Sequence, residues 1–458
     1  MMITFKNFQI EDYEKLISFL IELNEEDHNH IHWNWARLEW MFGHPEFDYD
    51  SKNKIGLWID EGKIVGVAIY DQYFGEAFCG TLSKYIEIYP EILDYAFKEL
   101  KDDSGLGIAI CDDAKQETKY ALDAGFEKAE ADETMLVIDL NKKLPVLLPS
   151  GFRIKTINPY ENNKEMQWLF WQGFNHGGNK EEFEKEFSAT LPKYIRKHLN
   201  PQLSIAITID KGELVSYCGV WYDNRTDYAY VEPVCTIPNY RKMGLAKAAI
   251  YEALNRAKTL GAKRGYVISN QEFYKNIGFT LEKHFSFYWK KELIPVNGNL
   301  YKKISLLGKG KGGYSYLVEK ERKQFVLKQI HHEPCDYYKF GNKIDAEHHD
   351  YERLSNAGIR IPRLIEIDIA NKRIIKEYIQ GKTISEMISN NESVEDYIPL
   401  VKEMAKLAKK AGLNIDYYPT NFVVENGLLY YVDYECNDYM DEWSFDNWGI
   451  KYWKNENK

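Results

Sequence analysis

Cysteine, basic charge and long apolar runs are what this 458-residue chain has least of, and each shortage removes a class of function. Its six cysteines, Cys79, Cys111, Cys218, Cys235, Cys335 and Cys436, are scattered without Cys-x-x-Cys spacing. Neither a disulfide framework nor a thiolate metal site is expected, and the thiols read as reduced and structural. Acidic residues outnumber basic ones by 70 to 59, for a formal net charge of -11, and no basic stripe occurs. That argues against nucleic acid as the main partner, since phosphate binding calls for a cationic face. No run of about 18 apolar residues is present, so no membrane-spanning helix is expected. The first residues, Met1 to Lys6, lack the apolar region of a secretory signal, which points to a cytoplasmic protein. His28, His30 and His32 alternate, but no carboxylate or fourth ligand stands at a recognisable distance; they read as surface histidines at a helix entry, not as a metal site.

Aromatic and apolar residues are plentiful. Apolar types make up 44% of the chain, with 34 Tyr, 22 Phe and 11 Trp, enough for several cores. At roughly 150 residues per domain the length suggests three.

The most informative stretch runs from Tyr230 to Ala246. It opens as a β-prone apolar run, turns at Pro238-Asn239, and delivers Arg241-Lys242-Met243-Gly244-Leu245-Ala246 into a helix that stops at Gly261. The helix has a stripe of Leu245, Ala249, Ile250, Ala253, Leu254, Ala257 and Leu260, with Lys247, Glu252, Arg256 and Lys258 outside it. Its first N-H groups are left without intrahelical acceptors, with the positive end of the macrodipole behind them, and this makes an anion site. Gly244 and Ala246 keep that site clear of side chains. A short strand, Arg264 to Ser269, then Asn270, and then Phe273-Tyr274-Lys275-Asn276-Ile277-Gly278-Phe279 follow.

This ordered set resembles the acyl-coenzyme A site of the GNAT superfamily of N-acetyltransferases, over roughly residues 150–291. The resemblance implies acetyl-CoA as cofactor, cradled by Arg241 to Ala246, with Asn270 and the backbone of Val234, Cys235 and Thr236 along the thioester arm. It implies direct transfer to an amine, small molecule or peptide. A strand N-H near Val234 to Thr236 would meet the oxyanion. Tyr274 would protonate the departing thiolate; a phenol of pKa about 10 suits a thiol of about 8.5. The bland alternative for Tyr274 is an aromatic packed beside Phe273 and Phe279. Glu232 would take the proton of the incoming ammonium, and an ion-paired surface carboxylate is an equal reading of it. In this superfamily the segment after the first strand shapes the acceptor pocket, which nominates Trp168, Trp171, Phe174 and His176, at least two of them being expected in the core.

Residues 1–143 repeat parts of the pattern. A strand and an amphipathic helix (Tyr13, Leu16, Ile17, Leu20, Leu23) open it, a hairpin turns at Glu61-Gly62, and Gly125-Phe126 echoes Gly278-Phe279. They look like a second GNAT fold in tandem. Where the pyrophosphate loop should stand there is Ile88 to Tyr95, with neither Arg nor Gly and with Glu91 and Asp94 in the way of an anion. We read this half as degenerate and structural, lending a wall to its neighbour's acceptor site. Leu144 to Pro149, with two prolines, is an extended connector.

Beyond Asn299 the character changes. A glycine-rich turn with Gly308, Gly310 and Gly313 lies between two strands and suits nucleotide phosphates. Phe325-Val326-Leu327-Lys328, Glu347 on a helix, Lys376-Glu377-Tyr378-Ile379, Asp416 to Asn421 and Tyr431-Val432-Asp433-Tyr434-Glu435 follow in order. The set resembles the protein-kinase-like fold, in particular its small bacterial and aminoglycoside-phosphotransferase-like branches. It implies ATP and Mg2+, with Lys328 paired to Glu347, Asp416 orienting an acceptor hydroxyl, and Asn421 and Asp433 on the metal. Asn414 stands where a His is usual, and only some 25 residues follow Asp433, so most of the substrate lobe is missing. An active phosphotransferase and a nucleotide-sensing pseudokinase both stay open. Trp443, Trp448 and Trp453 are expected to cap the small lobe.

The expected architecture is mixed α/β. It comprises a degenerate GNAT-like domain (1–143), an acetyl-CoA-binding GNAT domain (150–291), each with a mixed sheet flanked by helices, and a small kinase-like α+β domain (298–458). The leading expectation is an acetyl-CoA-dependent N-acetyltransferase. The alternative is an ATP/Mg-dependent phosphotransferase or sensor with the GNAT half as scaffold.

Overall fold

The computed structural model describes residues 3–44, 46–158, 164–187, 197–310, 312–331 and 341–454; Lys311 of the glycine-rich turn and Cys335 lie outside them. The chain is mixed α/β and divides into two units, Met1–Lys290 and Lys291–Lys458. No helix among the described residues is long and apolar enough to cross a membrane.

The first half of the first unit runs β1 (Thr4–Asn7), α1 (Tyr13–Glu26), α2 (Trp35–Phe42), β2 (Gly56–Asp60), β3 (Lys63–Tyr70), β4 (Glu76–Thr81), α3 (Tyr89–Glu99), β5 (Leu106–Cys111), α4 (Lys115–Asp123) and β6 (Glu127–Asp139). The second half runs β7 (Phe152–Thr156), α5 (Lys164–Gly173), α6 (Lys180–Phe187), β8 (Ser204–Ile209), β9 (Leu214–Tyr222), β10 (Tyr228–Thr236), α7 (Leu245–Leu260), β11 (Arg264–Ile268), α8 (Glu272–Asn276) and β12 (Thr280–Lys290). Local chemistry sets many of the boundaries. The β2-β3 turn takes Glu61 and Gly62 at φ 48° and 81°, the paired left-handed residues of a tight hairpin. Gly261, at φ 124°, ends α7.

All twelve strands form one sheet, in the order β1-β2-β3-β4-β5-β12-β6-β11-β10-β9-β8-β7. The two halves exchange their last strands: β12 pairs with β5, β6 pairs with β11, and β6 and β12 pair with each other antiparallel from Thr280 opposite Val137 to Trp289 opposite Glu127. The cores interlock in consequence. Phe285 and Tyr288 of β12 join the core of the first half, while Leu136 and Ile138 of β6 join that of the second. Burying such a side chain contributes about 1.5–3 kcal/mol, so each half draws part of its core's stability from the other's strand.

The histidine stretch departs from the sequence expectation. His30 and His32 are 7% and 2% exposed, buried polar groups rather than surface ones. The ring of His32 lies 3.9 Å from that of Phe285 and 5.7 Å from that of Phe78. For His32 part of that burial comes from Phe285 of the exchanged strand, more than 250 positions away in the sequence, while His30 packs on Phe78 of its own half.

The second unit opens with β13 (Leu293–Val296), β14 (Asn299–Gly310), β15 (Gly313–Lys320), β16 (Lys323–Ile330), α9 (Lys343–Asn356), β17 (Leu364–Asp368) and β18 (Arg373–Glu377), in a sheet ordered β13-β14-β15-β16-β18-β17. It continues with β19 (Lys382–Thr383), α10 (Ile384–Ser389), α11 (Ile398–Lys410), β20 (Leu413–Ile415), β21 (Phe422–Glu425), β22 (Leu428–Tyr431), β23 (Cys436–Asp438) and α12 (Ile450–Trp453). Thr383 and Glu386 cap α10 reciprocally, at 3.0 and 2.7 Å. Trp453 is buried and donates to the Tyr417 carbonyl at 2.9 Å, whereas Trp443 stays 45% exposed.

Candidate functional site

In the second half, β10 and β11 run parallel but stay paired only from Tyr228 opposite Arg264 to Tyr230 opposite Tyr266. Beyond that point β10 continues to Thr236 with β9 on one side and an open edge on the other. A bulge between Val231 and Val234 accompanies the divergence and turns Glu232 and Pro233 out of the regular alternation. Val234, Cys235 and Thr236 line this edge, where the Cys235 carbonyl accepts from Ser216 Oγ at 3.0 Å and the Thr236 carbonyl accepts from Arg241 Nε.

The chain then turns through Pro238–Tyr240 into α7. Lys242 and Gly244 are both left-handed, at φ 62° and 81°. No side chain caps α7, whose first turn begins with Ala248 donating to the Gly244 carbonyl at 3.0 Å. The N-H groups of Leu245, Ala246 and Lys247 therefore precede the helical ladder. A Cβ on Gly244 would meet nothing within 4 Å, so the space over these donors is open. The Arg241 side chain has a different task from the cradle expected of its segment. Its Nε donates to the Thr236 carbonyl at 2.9 Å and its Nη2 to the Gly173 carbonyl at 2.9 Å and Asn175 Oδ1 at 2.7 Å, which ties the turn to the end of α5. Lys242, Met243 and Gly244 remain exposed.

Tyr274, on α8, is 8% exposed and packs edge-on against Phe273 and Phe279, at 5.1 and 5.6 Å between ring centroids. Burial, then Glu232 and Cys218, raise its phenol above the ordinary value. Glu232 is pushed up to about 7: burial raises it and Arg37 draws it back. The Glu232 charge thus acts on the Tyr274 phenol. Asn270 follows β11 and donates to Asp132 Oδ1 at 3.0 Å. Of the aromatic candidates on the α5 segment, Trp168 and Trp171 pack against Phe183 of α6, while Phe174 and His176 are exposed.

Arg37, on α2 of the first half, was not nominated from the sequence. Its Nη1 bonds Glu133 Oε1 and the His32 carbonyl, and its Nη2 bonds Asp71 Oδ2, all at 3.0 Å. These partners lie 34 and 96 positions away from it, and no motif joins them.

The corresponding place in the first half looks different. There β4 and β5 are paired only at Glu76 and Ala77, yet the gap beyond is packed: Phe78 stacks on Trp33 at 5.1 Å, with His30 and His32 at its edge. Counting back four positions from the Gly-Phe pair gives Tyr274 in one half and Ala121 in the other. Residues Ile88 to Tyr95 form the entry to α3, with Pro90 in its first turn and Glu91 accepting from Trp58 Nε1 at 2.8 Å.

In the second unit, Lys328 of β16 sits 2.6 Å from Glu347 of α9 and 3.2 Å from Asp433. Burial disfavours the Lys328 charge, but Asp433 and Glu347 outweigh it and hold the amine above its ordinary value. Asp433 is held well below the carboxylate range, burial being overcome by Lys328 and Lys376. Lys376 is pushed down to about 8 by burial and by Lys328, and donates to the Val432 carbonyl. Gly313 lies over Lys328, where a Cβ would come within 3.3 Å of its Cε; Gly308 and Gly310 are exposed on the β14 arm of the same hairpin. Asp416 Oδ1 accepts from Tyr418 N at 3.1 Å, burial raises its carboxyl, and Asn421 donates to its carbonyl at 3.4 Å. Asn414 is buried and makes paired bonds with the Met440 backbone at 3.0 and 3.3 Å, a structural role for the residue at the unusual position. Asn421 and Asp433 offer oxygens of the kind a hard cation takes. Among the described residues no three His, Cys, Asp or Glu side chains are placed to hold a metal ion by themselves, so phosphate oxygens would have to complete such a site.

Comparison with known proteins locates the likeness. Among curated proteins, the KEOPS complex subunit Bud32 of Pyrococcus abyssi is 23% identical over 92 residues, 19% of this chain and 42% of that protein; the chain thus spans less than half of the relative it matches. Among solved structures, a GCN5-related N-acetyltransferase from Sphaerobacter thermophilus has 14% identity and a TM-score of 0.41, over 63% of this chain and 95% of its own. A tandem GNAT protein from the clavulanic acid biosynthesis pathway has 11% identity and a TM-score of 0.42, over 63% and 98%. Residues 163–279 match the family described as Acetyltransferase (GNAT) family. That segment takes in β10, the turn, α7 and Tyr274, so the likeness to this family falls on the candidate site.

Proposed function

We propose that the first unit is an acetyl-CoA-dependent N-acetyltransferase whose single working site is in its second half, residues 150–291, with residues 1–143 a degenerate partner. The observation that carries this reading is the unpaired edge of β10 leading to uncapped N-H groups at α7, with Glu232 acting electrostatically on Tyr274. Acetyl-CoA, when bound, supplies a thioester open to attack by an amine. The α7 donors would hold its diphosphate through Gly244, Leu245 and Ala246. A free N-H on β10 between Val234 and Thr236 would stabilise the developing oxyanion. Glu232, with a proton affinity near neutrality, would deprotonate the incoming ammonium. Tyr274 would return a proton to the leaving sulfur; burial, which raises its phenol, keeps it protonated but makes it a weaker acid than a free phenol.

For the second unit we infer nucleotide binding, supported by the assembled Lys328, Glu347 and Asp433. Lys328 would hold α and β phosphates, and Asp433 with Asn421 would hold Mg2+. Whether Asp416 then directs phosphoryl transfer, with the first unit as scaffold, is the second reading.

The test is a pair of measurements on the purified chain. Acetyl-CoA is expected to raise the melting temperature, and thiol release is expected with at least one amine among polyamines, amino acids, aminosugars and peptide N-termini. Stabilisation by ATP with Mg2+ but not by acetyl-CoA would reverse the order of the two readings.

A further inference from the structure

The bulge of β10 is built by β9 as much as by its own strand. Val231 pairs with Val220 and Val234 with Cys218, so Glu232 and Pro233 stand together opposite Gly219 alone. The Glu232 carbonyl leaves the ladder there and lies over Gly219: a Cβ on that glycine would come 2.7 Å from the oxygen and 3.2 Å from Pro233 Cδ. Trp221, two positions from Gly219 on β9 and so on the same face, donates its indole Nε1 to this carbonyl at 2.7 Å. A backbone acceptor that the bulge takes out of the sheet is thus satisfied by one side chain.

The anchor of that side chain lies in the other half. Trp221 is 1% exposed and belongs to the buried cluster built chiefly by the first half, in the company of Trp35, Trp58 and Phe78, together with Tyr230 of β10. An indole packed on all sides has one position, and its N-H therefore fixes the height of the Glu232 carbonyl above the sheet.

The bulge matters for the chemistry because strand groups alternate with a period of two. One extra residue on β10 exchanges, for Val234 to Thr236, the N-H groups directed at β9 and those directed at the unpaired edge. Resting on the acetyltransferase reading, we propose that Trp221 is a positioning residue for acetyl transfer, holding the β10 bulge through the Glu232 carbonyl and so setting which edge N-H meets the oxyanion. Glu232 is presented from the same fixed backbone. The degenerate half then has a task beyond stability, since its core holds the indole that holds the bulge. Gly219 is the second requirement, because any side chain there displaces the same oxygen.

The experiment compares steady-state thiol release and the acetyl-CoA thermal shift in the full chain, using the most active amine among spermine, lysine, glucosamine and a peptide N-terminus. Trp221→Phe keeps a buried ring and loses the donor; it is expected to lower kcat about 10- to 100-fold, with KM for acetyl-CoA and the thermal shift retained. Gly219→Ala should lower kcat in the same way. The double variant should fall little below the weaker of the two, because both changes act on one carbonyl. Trp58→Phe is the control for packing. It removes an indole donor, bonded to Glu91 at 2.8 Å, from the same core, and should lower the melting temperature without changing kcat. A folded Trp221→Phe with the kcat of Trp58→Phe overturns the inference, as do losses that multiply in the double variant; both leave the acetyltransferase reading intact. Absence of thiol release and of any acetyl-CoA thermal shift in the wild type overturns both readings.

Discussion

Substituting Gly244 separates two things that this residue does. Its φ of 81° puts it in the left-handed region at the head of α7, where a side chain costs about 1–2 kcal/mol. No steric penalty adds to this, because nothing lies within 4 Å of the position of a Cβ. Gly244→Ala should therefore lower the apo melting temperature by about 2–4 °C. Gly244→Glu carries the same strain, but its carboxylate at a helix N-terminus recovers about 0.3–1 kcal/mol, so its apo stability should equal or exceed that of the alanine variant. Binding should run the other way. With acetyl-CoA at a hundredfold excess over its dissociation constant, the wild type should gain about 2.7 kcal/mol. Alanine, whose methyl projects into the open space, should bind about tenfold more weakly, a loss of about 1.4 kcal/mol. Glutamate should abolish binding by opposing the diphosphate. Differential scanning fluorimetry of the three chains with and without acetyl-CoA gives all six values. Retention of the ligand shift in Gly244→Glu would refute the claim that the α7 donors bind an anion.

Three further outcomes are expected. Tyr274→Phe should lower kcat for thiol release by about 10²–10⁴ while leaving the acetyl-CoA thermal shift in place; an unchanged kcat would return Tyr274 to packing. His30 and His32 are held below the ordinary imidazole value, chiefly by burial, with Glu117 opposing for His30 and Arg37 reinforcing for His32. The unfolded chain takes up those protons from about pH 6.5 downward while the folded chain resists, so stability is complete above that pH and is lost as it falls. Urea unfolding of His32→Leu should vary less between neutral and mildly acidic pH than the wild type, and equal slopes would contradict this. In the second unit, Lys328→Met should cost about 3 kcal/mol, since Glu347 is 1% exposed and its remaining ion-pair partner among the described residues, Lys343, is 3.8 Å away, with Lys376 also within electrostatic reach. Adding Glu347→Met should recover most of that loss in a denaturant titration, and a single variant as stable as the wild type would contradict the pairing.

Local signals in the sequence were strongest where one residue type has few alternatives. The positive φ at Gly62, Gly244 and Gly261 made the hairpin, the head of α7 and its end legible. The helical stripe of α7 reads as its buried face at Leu245, Ala249, Ile250, Ala253, Leu254 and Ala257, whereas Leu260 at the end of the stripe is 49% exposed. Lys328 and Glu347 could be paired in advance, and they meet at 2.6 Å. Asn270 was legible as a position but not as a partner of Asp132, because Asp132 arrives on β6 from the other half.

By itself, the order of residues determined the local elements and the chemical types at each opening, because propensity, periodicity and left-handed turns act over a few positions. Only the tertiary structure decided that β6 and β12 change places, that His30 and His32 are buried, and that Arg37 meets Asp71 and Glu133. Those outcomes depend on contacts across 34 to more than 250 positions, where many strands could satisfy the same backbone hydrogen bonds and packing against a particular neighbour selects among them.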